Sequence, residues 1–213
     1  MMNKLTEKVF EIAPFGYFSY QDVVTLFPDS ANKRYGLVKR AIADGQILHI
    51  RRGLYCLAPK YRKTKINLYA LAQHLYGPSY ISLESALSWR GWIPEAVYTL
   101  TSSAFGKSNE FSTPLGEFSY TRVPQNIFYT GVERHIDEAG DVFFIASPVK
   151  ALADYVYVHK KDWTGLTPAA EDLRIEPDEF ESIAANEIDE LIENYTSRRV
   201  VRFLKGVRKE LGR

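Results

Sequence analysis

The chain has 213 residues, 46% hydrophobic and 14% aromatic, with 27 Lys/Arg against 26 Asp/Glu. That is enough apolar material for one large core or two small ones, and it excludes a disordered chain. The net charge of +1 hides an asymmetry: residues 1–65 carry +7, residues 66–195 carry −12 and residues 196–213 carry +6. A basic head, an acidic body and a basic tail imply different partners for different parts.

In the head, Leu5, Val9, Phe10 and Ile12 fall near helical spacing, and Pro14 and Gly16 end that helix. Ser19 is placed to cap a second helix, YQDVVTLF, with Asp22 at its third position as an acidic form of the capping box. Pro28 and Asp29 make a turn. Asp29 or Ser30 then caps a third helix, SANKRYGLVKRAIA, which Asp44-Gly45 ends. Two strand-like runs follow in ILHIRRGLYCLAPK, with a basic glycine turn between them, so they read as a hairpin with a positive tip. Helix, helix, turn, helix and hairpin is the order of a winged helix-turn-helix.

Pro59 ends the hairpin, and KYRKTK is a short basic connector. The expected division is a DNA-binding domain over 1–62 and an α+β domain over 63–213. The body reads as a helix in NLYALAQHLYG and a strand turning into a helix in YISLESALSWRGW. Strands follow in VYTLTSS, EFSTPLGEFSYTRVP, IFYTGVERHID and DVFFIAS. SPVKALADYVYVH returns to helix, with Ser147 as cap and Pro148 at the first helical position. Two further helices, about 178–194 and 197–211, close the chain. The expected fold class is therefore α+β, with a mixed or antiparallel sheet and terminal helices in the second domain.

The head carries the chemistry. In the third helix, Leu37, Val38, Ala41 and Ile42 form the expected buried stripe, which turns Asn32, Lys33, Arg34, Tyr35, Lys39 and Arg40 outward or sideways. Asn pairs bidentately with adenine and Arg with guanine, while Lys and hydroxyl side chains mostly hold phosphates. Ser30, Asn32, Lys33, Arg34 and Tyr35 offer that set at the start of the helix, where a recognition helix meets base edges. Ser19 and Tyr20 open the second helix and could hold phosphate through hydroxyls and a backbone N–H. Arg51 and Arg52 at the hairpin tip suit the backbone or a narrow minor groove, and Gly53 permits the turn. His49 reads as an ordinary strand residue and Cys56 as a core packer.

The body carries no enzyme signature. SSAFGKS lacks the first glycine of a phosphate loop, which would fall at Thr101. There is no G-x-G-x-x-G, no G-x-S-x-G, and no lysine with Asp or Glu two positions before it. The four histidines, His49, His74, His135 and His159, are scattered. Glu133-Arg134-His135 reads as polar residues exposed at a strand end, and Trp89 and Trp92 as packing with a partner patch as the alternative. The tail helix has an apolar stripe, Val200, Val201, Leu204 and Val207, ringed by cations. It reads as docked on the acidic body, or as a second phosphate or partner contact. The expectation is no catalysis, no cofactor and no metal.

One cysteine excludes an intrachain disulfide and a multi-cysteine zinc site and favours a reducing compartment. The charged N-terminus is not a signal peptide, and no run of about 18 apolar residues is present. The expected location is the cytoplasm, without a membrane partner.

As a set, GYFSYQDVVTLFP, the basic third helix, IRRGLYCLAP, YISLESALSWRGWIPE with VYTLTS, and FFIASPVKALADYV resemble the AbiEi-type antitoxins and transcriptional regulators of bacterial type IV toxin–antitoxin systems. The resemblance runs from about residue 5 to 160. It implies a winged helix that binds inverted repeats in double-stranded DNA at the operon's own promoter. It also implies a second domain that antagonises a nucleotidyltransferase-like toxin. The residues it carries over are Asn32, Lys33 and Arg34 of the third helix, and Arg51, Arg52 and Gly53 of the hairpin. The alternative is an interaction module, an adaptor or direct toxin binder without specific DNA recognition.

Overall fold

A computed structural model describes residues 2–212. Helix α1 (Lys4–Ile12) starts at Asn3, whose side chain accepts from the Leu5 amide. Leu5 and Val9, one turn apart, are fully buried, so truncating either to alanine removes about 2–5 kcal/mol. Strand β1 (Tyr17–Ser19) leads directly into α2 (Tyr20–Leu26), where Ser19 and Asp22 cap each other reciprocally. Helix α3 (Ala31–Ala43) is capped by Ser30. Strands β2 (Ile47–Arg51) and β3 (Leu54–Leu57) form the hairpin.

The three strands make an antiparallel sheet in the order β1-β3-β2. β1 has only three residues, too few for a periodicity signal, so sequence reading does not find it. Alternate residues of a strand face opposite ways, and here each face has its own core. Phe18, Ile47, Tyr55 and Leu57 join Leu5, Val9, Val23, Leu37, Val38 and Ala41 in the core of the head. Ile50, Leu54 and Cys56 belong instead to the core of the body, with Tyr17 packed against it. All four residues of β3 are therefore buried. The expected Ile42 is not in the head core; it is 39% exposed. It lies about a quarter-turn off the Leu37–Val38–Ala41 axis, so the core contact ends before reaching it.

Past the connector come α4 (Leu68–Leu75), β4 (Ser79–Ile81), α5 (Leu83–Trp89), β5 (Thr99–Ala104), β6 (Asn109–Thr113) and β7 (Gly116–Thr121). They are followed by β8 (Val132–Ile136), β9 (Val142–Ala146), α6 (Pro148–Val158), α7 (Leu166–Leu173), α8 (Ala185–Asn194) and α9 (Arg198–Glu210). One sheet of six strands runs β6-β7-β5-β4-β9-β8. β4 pairs with β9 and β5 with β7 in parallel, while the other neighbours are antiparallel, so the sheet is mixed. The whole is α+β.

Two expectations are corrected, and one helix is added. The strand expected from Ile127 begins only at Val132. Asn194 holds the preceding loop off the sheet: its Oδ1 accepts from the Ile127 amide at 2.6 Å and its Nδ2 donates to the Ile127 carbonyl at 3.0 Å. The helix expected over 178–194 divides into a short 3₁₀ turn, Pro177–Ser182, and α8. The added helix, α7, has no side-chain cap of its own at Gly165, and its N-terminus is satisfied from far along the chain, where Glu210 Oε2 accepts from the Leu166 amide at 2.5 Å.

Candidate nucleic-acid interface

The exposed side of the head is built on α3. Leu37, Val38 and Ala41 anchor its inner face. At 100° per residue, Asn32, Gly36 and Lys39 then lie opposite them, flanked by Tyr35 on one side and Lys33 and Arg40 on the other. Asn32, Lys33, Lys39 and Arg40 are exposed, and Tyr35 is 65% exposed. Gly36 adds a flat place in this face, since a Cβ there would meet nothing within 4 Å.

Not every expected contact points outward. Arg34 is folded back, its guanidinium donating to the Phe27 carbonyl at 3.2 Å and to the Asp29 carbonyl, so it closes the turn between α2 and α3. Lys33 pairs with Asp29 at 2.9 Å, both well exposed; such a pair is worth little and opens readily to a stronger anion. Its hydrogen bond and charge hold the Asp29 carboxyl below its usual range. Ser30 is occupied in capping, its Oγ accepting from the Lys33 amide at 3.4 Å. Ser19 is committed more firmly. Its amide and hydroxyl donate to Asp22 Oδ2 at 2.7 and 2.8 Å, and its Oγ accepts from the Asp22 amide at 3.2 Å. The Tyr20 amide donates to the Gly53 carbonyl at 2.8 Å, and its ring packs on the head core.

That last bond ties the hairpin tip to the start of α2. The tip is two residues, Arg52 and Gly53, and Gly53 sits at φ +80°, where an L side chain is strained. The two arginines part company. Both are exposed, but the Arg51 guanidinium also reaches the carbonyl of His74, in the last turn of α4, at 3.4 Å. His74 also lies against the Tyr17 ring at 4.8 Å, and Tyr17 Oη donates to Asp141 at 2.9 Å. Burial pushes the Asp141 carboxyl up, and Tyr17 partly opposes that. The connector is held too. Lys63 sits over the Phe10 ring at 4.6 Å, and Thr64 Oγ1 donates to the Pro14 carbonyl at 3.4 Å.

The face thus assembled offers one amide, a phenol and several cations: Asn32, Tyr35, Lys39, Arg40 and Arg52, with Lys33 loosely held. It can hydrogen-bond base edges and neutralise phosphates. Arg40 and Gly36 are what residue-type matching undervalues, and the helical wheel about Leu37–Ala41 brings them out.

The body holds a second polar cluster, sealed from solvent. Lys150 and Asp154 are both fully buried. Lys150 Nζ donates to Gln125 Oε1 at 2.6 Å, Tyr195 Oη at 2.7 Å and Asp154 Oδ1 at 3.3 Å. Tyr80, Ser82 and Tyr195 all donate to the Asp154 carboxylate, at 3.0, 2.7 and 2.5 Å. Desolvation holds the Lys150 ammonium below its ordinary value, with Asp154 opposing. The cluster joins β4, α6, the loop before β8 and the α8–α9 junction.

Among the described residues no group of three or more His, Cys, Asp or Glu is placed to hold a metal ion. No described helix is long and apolar enough to cross a membrane. No protein-family model and no curated protein matches the chain.

Proposed function

We propose that residues 1–62 are a winged helix-turn-helix that binds double-stranded DNA, with α3 as recognition helix and the β2–β3 hairpin as wing. Residues 63–213 are read as an antitoxin-like domain of the AbiEi type. On that reading the protein is a cytoplasmic, non-enzymatic repressor of its own operon, acting at inverted repeats and counteracting a nucleotidyltransferase-like toxin. The observation that carries the reading is the outer face of α3. It presents Asn32, Tyr35 and Lys39 to solvent with Arg40, and the hairpin tip adds Arg52, in a basic stretch that carries +7 over residues 1–65.

Fluorescence anisotropy against duplex DNA over a salt series tests it. Lys39→Ala and Arg52→Ala each lower affinity on every sequence and reduce the salt slope by about one. Asn32→Ala relaxes base preference in a selection from random duplexes. Unchanged slopes in both cation variants would remove this face from DNA. Tight capture of the neighbouring gene's product with no DNA binding would favour the adaptor reading.

A further inference from the structure

An aromatic groove lies at the junction of the connector with the body, and none of the residues assigned to DNA lines it. Its volume is about 560 Å³, within the range of ligand-sized sites. Its floor is four rings. Tyr69 stacks on Phe143 at 5.5 Å, Phe143 stacks on His135 at 5.7 Å, and Trp89 meets His135 and Phe143 edge-on at 4.7 and 5.8 Å. Trp89 remains 39% exposed although it ends a helix whose other apolar residues are buried. Two carboxylates, Asp137 and Glu138, line the groove against one ammonium, Lys65. Asn67 and three backbone amides hold Asp137 in its charged form, its carboxyl below the usual range. Arg90 lies over the Trp89 ring at 5.5 Å and pairs with Glu133 at 2.9 Å, and Glu133 also meets His135 Nε2 at 3.1 Å, so Arg90 and Glu133 together add no net charge.

We propose that this groove binds a small organic cation, an ammonium or guanidinium on a compact apolar body. Electron-rich ring faces attract a cation within about 6 Å of the centroid. The carboxylate excess of the lining and the −12 charge of residues 66–195 favour the same sign. A neutral ligand of equal shape would gain the apolar contact and forgo both.

The groove is also placed to communicate. Asn67 Nδ2 donates to Asp137 Oδ2 at 2.8 Å, and Asp137 Oδ1 accepts from the Asp141 amide at 2.8 Å. Asp141 in turn holds Tyr17 of the head. An occupant touching Asp137 therefore bears on the turn that fixes the head to the body. Any effect on DNA rests on the reading above; the binding itself does not, and it stands or falls separately.

The test is calorimetric titration of the full chain with choline, and with 3,3-dimethylbutan-1-ol as its neutral isostere. Trp89 indole N–H shifts are followed by NMR, since Trp92 and Trp163 are 4% and 7% exposed. The expected result is saturable choline binding at least ten-fold tighter than that of the alcohol, with the Trp89 resonance moving most. Trp89→Leu abolishes it, Trp89→Phe retains it within about three-fold, and Glu138→Gln weakens it more at low salt than at high. No saturation by 100 mM choline, equal binding of the alcohol, or full binding to a folded Trp89→Leu variant would each overturn the proposal.

Discussion

Gly36 sits in the middle of a thirteen-residue helix with open space where its side chain would be. Its φ is not positive, so nothing in the fold requires glycine there. Replacing it by alanine should stabilise the protein by ~0.5–1 kcal/mol. If a duplex lies close against α3, the same change should weaken DNA binding. Thermal melts and anisotropy on one preparation check both signs; a stabler variant with unchanged affinity places the duplex elsewhere. A second residue-scale prediction concerns Glu84. Burial pushes its carboxyl up, but the hydrogen bond and charge of His159 at 2.8 Å outweigh that and hold it below its usual range. A carboxyl depressed in the folded state contributes stability that is present above its unfolded value and lost as pH falls through the folded one. Glu84→Gln should therefore cost about 1 kcal/mol at pH 6–7, and the gap should close below pH 4 in melts across pH. Cys56 is consistent with its reading as a packer: it is fully buried, and burial pushes its thiol up to about 11.

Among the elements, those with chemical punctuation were legible. Ser19 with Asp22, Ser30, and Ser147 with Pro148 each mark a real helix start, because a cap is a local bond between neighbours in sequence. What sequence reading missed is held by distant partners: β1 by β3, the loop at Ile127 by Asn194, and α7 by Glu210. On the outer face of α3, the exposed Asn32, Tyr35 and Lys39 were legible from helical spacing. The inward turn of Arg34 was not, because it depends on where the Phe27 and Asp29 carbonyls point. Helix α9 shows both sides. Of the expected stripe, Val200, Leu204 and Val207 are buried and Val201 only partly so, while Phe203, outside it, is fully buried. Arg199 and Arg202 reach Asp162, and Arg208 reaches Asp189, which fits docking on the acidic body. The docking is close enough that a Cβ on Gly206 would overlap the Thr164 carbonyl. Gly206→Ala should thus cost more than about 2 kcal/mol by forcing the helix off its seat. Chemical denaturation measures it, and a loss under 0.5 kcal/mol would show that the seat yields.

Across the whole molecule, the order of six strands was beyond sequence reading, since β4 pairs in parallel with β9, joining Ile81 to Ile145, and β5 pairs in parallel with β7 past the intervening β6. The sealed Lys150–Asp154 cluster was equally hidden: KALADYV shows two charges four residues apart, as on any surface helix. Lys150→Met should cost about 3–5 kcal/mol because it strands a buried carboxylate, while adding Asp154→Leu should recover much of that. Denaturant midpoints of the two variants decide it; a double variant no stabler than the single would mean that the tyrosine and serine partners set the cost.

The three-stranded sheet has a consequence for descent. Its strands present Phe18, Tyr55 and Leu57 to one core and Leu54 and Cys56 to another. A head lying at the end of a free tether can be exchanged between genes by a single crossover in the tether. Here a crossover at the connector would pair Leu54, Cys56 and Tyr17 with an unrelated body surface. Recombinants would survive only where both halves came from lineages that had kept that surface. The two halves of this protein are therefore expected to share one history, inherited as a unit rather than assembled from interchangeable parts.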